Sequence, residues 1–79
     1  MTPEQAFSCV LRRLRAQAKL TQEQLAFEAG LDRTYISLLE RGYRQPTLNS
    51  MVQLSAALKV APSTLMNHIE ELLNETGAD

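Results

Sequence analysis

The stretch TQEQLAFEAGLDRTYISLLERG, residues 21–42, decides how this chain folds. Thr21 and Gln24 make an S/T-x-x-E/Q pattern, in which hydroxyl and side-chain amide satisfy each other's free backbone donors at a helix start. Gly30 supplies the left-handed residue that a helix C-terminus favours. Asp32 is expected to cap a second helix, and Gly42 to close it. A link this short, with a glycine in it, makes the two helices cross steeply instead of lying antiparallel like a long hairpin.

Such a pair is a helix-turn-helix, and its second helix has two chemically different sides. At 100° per residue from Arg33, the residues Arg33, Ser37, Arg41, Thr34 and Leu38 fall within an arc of about 140°. Tyr35, Ile36 and Leu39 fall on the other side, where they can dock on a core. The outer set suits base edges. Arginine can fork onto guanine, Ser and Thr can bond several bases, and an apolar group can touch a thymine methyl. A merely solvated face has the same composition, so the arc alone leaves both readings open.

The ordered run TQEQLAFEAGLDRTYISLLERGYRQPTL resembles the helix-turn-helix domain of phage Cro and repressor proteins and of xenobiotic-response-element-like bacterial regulators. Within that family, LDRTYIS followed by ERG and PTL is most similar to the controller proteins of restriction-modification systems. The resemblance covers roughly residues 7 to 66. It implies an all-α fold, a compact five-helix bundle of the phage-repressor type. It also implies that Arg33, Thr34 and Ser37 reach into the major groove and that Gln22 holds a phosphate; Leu38, on the same outer arc, joins the candidate base-reading residues. Tyr35, Arg44 and Asn49 complete the candidate phosphate contacts. Arg15 matches an arginine that pairs, in the family, with the glutamate matching Glu40. The family's use of the fifth helix and the preceding link makes Val60, Leu65, Met66 and Ile69 the candidate dimer interface.

Composition fits that picture. Seventy-nine residues make one small domain, a size at which oligomerisation adds useful stability. No apolar run approaches the roughly 18 residues of a membrane span, and no signal-peptide core is present, so a cytoplasmic protein is expected. Cys9 has no internal disulfide partner, and one Cys with one distant His makes no metal-ligand pattern. It is read as a small structural residue, with a redox sensor as the alternative. No metal and no cofactor are expected. The net charge of −1 divides unevenly: residues 1–59 hold all eight Lys and Arg against five acids, whereas residues 60–79 hold four acids and no base. A basic body therefore coexists with an acidic tail.

Along the chain, Thr2-Pro3-Glu4-Gln5 is a second capping box with proline at the first helical position. Phe7, Leu11, Leu14 and Ala18, with Val10, give that first helix its core face. Arg12 and Arg13 point away from it, and Arg15 lies at its edge. The next helix, residues 22–29, buries Leu25, Ala26 and Ala29. Gln22 sits where free N–H groups and the positive helix end favour phosphate. After the loop Tyr43-Arg44-Gln45-Pro46, Thr47 caps a fourth helix running to about Leu58, with Leu48, Met51, Val52, Leu54 and Leu58 assigned to its inner face. Arg44 and the free N–H groups near Asn49 could grip the DNA backbone. A fifth helix, about residues 62–74, carries Leu65, Ile69 and Leu72 flanked by Met66 and Leu73; part of this stripe must finish the monomer core, and it is longer than a core of this size needs. His68 is assigned to the surface or an interface, and residues 75–79 to a frayed end.

The expected function is a homodimeric, sequence-specific transcriptional regulator on a near-palindromic operator in double-stranded DNA. Repressor and activator share this reading head. RNA polymerase is a candidate further partner, through acids such as Glu23 or Glu28. The alternative is a protein-binding helical module of an antitoxin-like kind. An enzyme is not expected, since the chain has no phosphate loop, nucleophile motif or metal set.

Overall fold

Two capping boxes set the first half of the chain. Gln5 N donates to Thr2 Oγ1 at 3.1 Å and Thr2 N to Gln5 Oε1 at 2.8 Å. Gln24 N donates to Thr21 Oγ1 at 3.0 Å and Thr21 N to Gln24 Oε1 at 2.9 Å. The computed structural model describes residues 1–75, and in them these starts open α1 (Pro3–Gln17) and α2 (Gln22–Ala29). They are followed by α3 (Arg33–Glu40), α4 (Leu48–Ala57) and α5 (Pro62–Glu75). The expected frayed end lies outside the described residues except for Glu75, which is the last residue of α5.

Asp32 departs from expectation. It stands at the N-cap of α3 with extended backbone, but its carboxylate makes no capping hydrogen bond. The residue is exposed, so water can hydrate the carboxylate in place of the backbone donors. Thr47 does cap α4, accepting from Ser50 N at 3.0 Å.

The first four helices end on one device, a left-handed residue that lets the chain bond back to the last turn. After α3 it is Gly42 (φ 75°), with Gly42 N on Leu39 O at 3.1 Å and Tyr43 N on Leu38 O at 3.0 Å. After α2 it is Gly30 (φ 69°), with Leu31 N on Ala26 O at 2.9 Å. After α1 and α4 the left-handed residues are Lys19 and Lys59, both at φ 60°. Nothing in the sequence marks those two lysines.

The core draws Ala6, Phe7, Val10, Leu11 and Leu14 from α1, Leu25, Ala26 and Ala29 from α2, and Ile36 and Leu39 from α3. Leu54, Leu58, Leu65 and Ile69 complete it. Helix α1 packs against α3 and α5, α2 against α3 and α4, and α4 against α5. Three assignments need correction. Ala18 is exposed, because it caps α1 instead of continuing its face. Leu48 and Val52 are exposed as well, since α4 turns Ser50, Leu54 and Ser55 inward. The inward serines stay satisfied by bonding back to backbone carbonyls, Ser50 Oγ to Thr47 O and Ser55 Oγ to Val52 O, both at 2.9 Å. Finally, the stripe of α5 is mostly used by the monomer: Leu65 and Ile69 are buried, Leu72 and Leu73 are half-buried against the core, and Met66 remains exposed.

Candidate nucleic-acid interface

Helix α3 fastens its inner side by burying Ile36 and Leu39, which holds Arg33 and Thr34 in solvent at its N-terminal end. Ser37 and Leu38, further along the same side, are half-buried. Because Asp32 does not cap the helix with its side chain, the first N–H groups of α3 are left for water or a ligand beside Arg33 and Thr34. Arg41 ends the outer arc and is not free-standing. Its guanidinium lies 5.1 Å from the centroid of the Tyr43 ring, a cation–π contact created when the left-handed Gly42 folds the chain back.

The candidate phosphate contacts divide into free and engaged groups. Arg44 and Asn49 are exposed, in the α3–α4 link and the first turn of α4. Tyr35 is half-buried and its hydroxyl has partners: Ser50 Oγ at 3.1 Å and Thr47 N, which donates to it at 3.4 Å. That hydroxyl therefore ties α3 to the start of α4. Gln22, half-buried at the start of α2, donates through Nε2 to Glu40 Oε1 at 3.1 Å. Thr21, Gln22 and Glu23 share an open concavity with Arg15 and Arg33.

Behind this surface lies the Arg15–Glu40 pair. Arg15 Nε meets Glu40 Oε2 at 2.5 Å and Arg15 Nη2 meets Oε1 at 2.9 Å, a two-pronged ion pair between α1 and the last residue of α3. The glutamate side chain is 3% exposed and the arginine side chain 22%, so the carboxylate is the deeper partner. Arg15 Nη1 also donates to Leu20 O at 2.9 Å. The hydrogen bonds that Arg15 donates to Glu40, aided by the carboxylate's charge, raise the Arg15 pKa above the ordinary arginine value against the opposing effect of burial.

Arg12 is exposed, off the core face of α1 as expected, and its head reaches the end of α3, where Nη1 donates to the backbone oxygen of Glu40. A cation at that place favours the negative end of the helix. Arg12 Nη2 also lies 3.4 Å from the Cys9 sulfur. The Tyr43 stacking and the Gln22–Glu40 bond are not legible in the sequence, because a turn in one case and the packing of distant residues in the other bring the partners together. Of the candidate dimer residues, Leu65 and Ile69 are withdrawn into the core, whereas Val60 is half-buried and Met66 exposed. Among the described residues no group of His, Cys, Asp and Glu could hold a metal ion, and no helix is long and apolar enough to cross a membrane.

A helix-turn-helix family model matches residues 11–65. The chain is 42% identical over 62 residues to the control protein C.BamHI of Bacillus amyloliquefaciens, covering 77% of this chain and 76% of that protein. The solved structure of the restriction-modification controller protein C.AhdI from Aeromonas hydrophila matches with a TM-score of 0.76 at 42% identity, over 78% of this chain and 94% of that one. The controller protein C.Esp1396I, solved as a tetramer in complex with its natural 35 base-pair operator, matches with a TM-score of 0.83 at 31% identity, over 90% of this chain and 93% of that one. With the motif set in a five-helix frame and these matches spanning most of its length, the chain belongs to the helix-turn-helix family of transcriptional regulators, with restriction-modification controller proteins among its relatives.

Proposed function

We propose that the chain binds operator DNA as a homodimer, with α3 in the major groove of each half-site of a near-palindrome. One observation carries this reading: α3 is locked to the core on one side while Arg33 and Thr34 stand exposed on the other, beside the uncapped start of the helix. In this reading Arg33, Thr34, Ser37 and Leu38 meet base edges, and Gln22, Arg44 and Asn49 meet phosphates. Tyr35 chiefly holds α3 to α4, because its hydroxyl is already engaged there. The protein acts in the cytoplasm by binding alone, without catalysis, metal or cofactor, and control of restriction-modification genes is the role that its relatives' names suggest.

The dimer surface is centred on Met66 and Val60. Met66 borders an open apolar groove with Pro3, Phe7, Pro46 and Met51. A second protein surface is supported by Phe27, which is 83% exposed beside Glu23, Gln24 and Glu28. An apolar ring flanked by acids suits a basic protein surface, and RNA polymerase is the partner proposed for it. Substituting Phe27→Ala should change transcription from the operator without changing operator affinity, and an equal loss of both would assign Phe27 to DNA binding or folding instead. The DNA reading itself is tested by titrating random duplex at low salt. Measurable affinity that falls steeply with salt is expected. Absence of binding at any salt would favour the protein-binding alternative.

A further inference from the structure

We propose that Glu40 is a positioning residue for DNA binding, whose buried carboxylate orients the Gln22 side-chain amide so that it donates to a backbone phosphate. This rests on the DNA-binding reading above. Glu40 closes α3 and is 2% exposed, and both of its carboxylate oxygens are occupied. Oε2 accepts from Arg15 Nε, and Oε1 accepts from Arg15 Nη2 and from Gln22 Nε2. An ionised carboxylate only accepts hydrogen bonds. Gln22 must therefore turn its NH2 group toward Glu40, and never its carbonyl.

That constraint reaches the surface. The two amide hydrogens diverge in the amide plane, so when one is held by Glu40 the other is aimed elsewhere. Gln22 is the first residue of α2, where backbone N–H groups are unpaired and the helix dipole favours an anion. It also lines the concavity that Arg15 and Arg33 share. Unheld, a glutamine amide would turn over and present its carbonyl oxygen to a phosphate as often as its donor. Arg15 has a second part in this arrangement. A bare carboxylate behind Gln22 would repel an incoming phosphate, and the guanidinium, clamped to both oxygens, offsets that charge. Stability of the ion pair requires only Arg15 and Glu40. The additional bond to Gln22 connects the pair to the edge of the DNA-facing surface.

A double-mutant cycle in DNA binding tests the coupling, using Gln22→Ala, Glu40→Gln and the double variant, each checked for folding by circular dichroism. Glutamine at position 40 keeps the volume but can offer either a donor or an acceptor, so it no longer dictates the amide's direction. Gln22→Ala and Glu40→Gln should each weaken random duplex and selected operator alike, by about tenfold. The double variant should be within about twofold of either single one, since both remove the same contact. The salt slope should stay at the wild-type value, because no cationic phosphate contact is lost. Losses that multiply in the double variant would overturn the proposal.

Should Glu40→Gln fail to fold, NMR on the wild-type protein gives the answer without a variant. One Gln22 side-chain amide proton, the one bonded to Glu40, should be protected from exchange with water relative to the amides of exposed glutamines, and the other should shift when random duplex is added. Two Gln22 amide protons that exchange with water as fast as those of exposed glutamines and are unmoved by DNA would overturn the assignment. A wild-type protein that binds no duplex at low salt would remove the DNA-binding reading, and this inference with it. Additive losses in a protein that does bind would remove this inference alone.

Discussion

At the scale of single residues, the Arg15–Glu40 pair and the two left-handed lysines carry the clearest consequences. Arg15→Ala should cost more stability than Glu40→Ala, because it strands the deeper group. About 3–5 kcal/mol is expected for Arg15→Ala, and less for Glu40→Ala, which leaves a guanidinium that can still reach water. Urea denaturation of both variants checks the order, and equal small losses would make the pair an ordinary surface contact. The raised Arg15 pKa fixes the sign of the pH dependence. Its contribution is complete below the ordinary arginine value and is lost only as pH rises through the higher folded value, so neutral and mildly alkaline solution leave it intact. Lys59→Gly should stabilise the protein by about 0.5–1 kcal/mol, as relief of left-handed strain exceeds the added freedom of the unfolded chain. A lower melting temperature for this variant would contradict the account. The threonine caps were legible in the sequence because their partners are three residues away. The Gln22–Glu40 and Arg12–Glu40 bonds join different helices, and only the packed fold brings them together.

At the scale of helices, the local start and stop signals located all five elements, while the buried face was less legible. In α4 the apolar pattern points to Leu48 and Val52, because serine counts as polar in any periodicity. Ser50 and Ser55 can nevertheless turn inward, since each hydroxyl returns to a carbonyl of its own helix. In α5 the apolar stripe reads equally well as core or as interface, and the balance is set by α1 and α4, which pack against it. Ile69→Glu should therefore unfold the monomer, because it would bury a carboxylate in the core. Met66→Glu should leave circular dichroism unchanged and abolish association in sedimentation, as the side chain is 49% exposed in the monomer. A folded Met66→Glu dimer would move the interface elsewhere. Leu65→Ala should cost about 2–5 kcal/mol of unfolding free energy whatever the oligomeric state.

For the molecule as a whole, the division of charge matters more than the total of −1. The acids Glu70, Glu71 and Glu75 are exposed on α5, whereas Arg33, Arg41 and Arg44 are exposed on α3 and the link that follows it. An α5 whose exposed charges are acidic, with arginines on α3 and its following link, gives an uneven charge distribution that can orient the protein toward DNA despite the net negative charge. Arg44→Ala should weaken operator and random duplex equally and lower the salt slope by about one unit. A sequence-dependent loss would make Arg44 a base contact instead. Arg33, at the exposed start of α3, should differ from Arg44 by determining which base is chosen. The most direct test of this account is selection of bound sequences from a random duplex pool, performed with the wild type and with Arg33→Ala. The wild type should return a near-palindrome with half-sites about one helical turn apart, and the variant should lose preference at one position in each half, worth about 1–3 kcal/mol of discrimination. No enriched sequence for the wild type, or the same consensus at undiminished affinity for Arg33→Ala, would contradict the placement of α3 in the major groove.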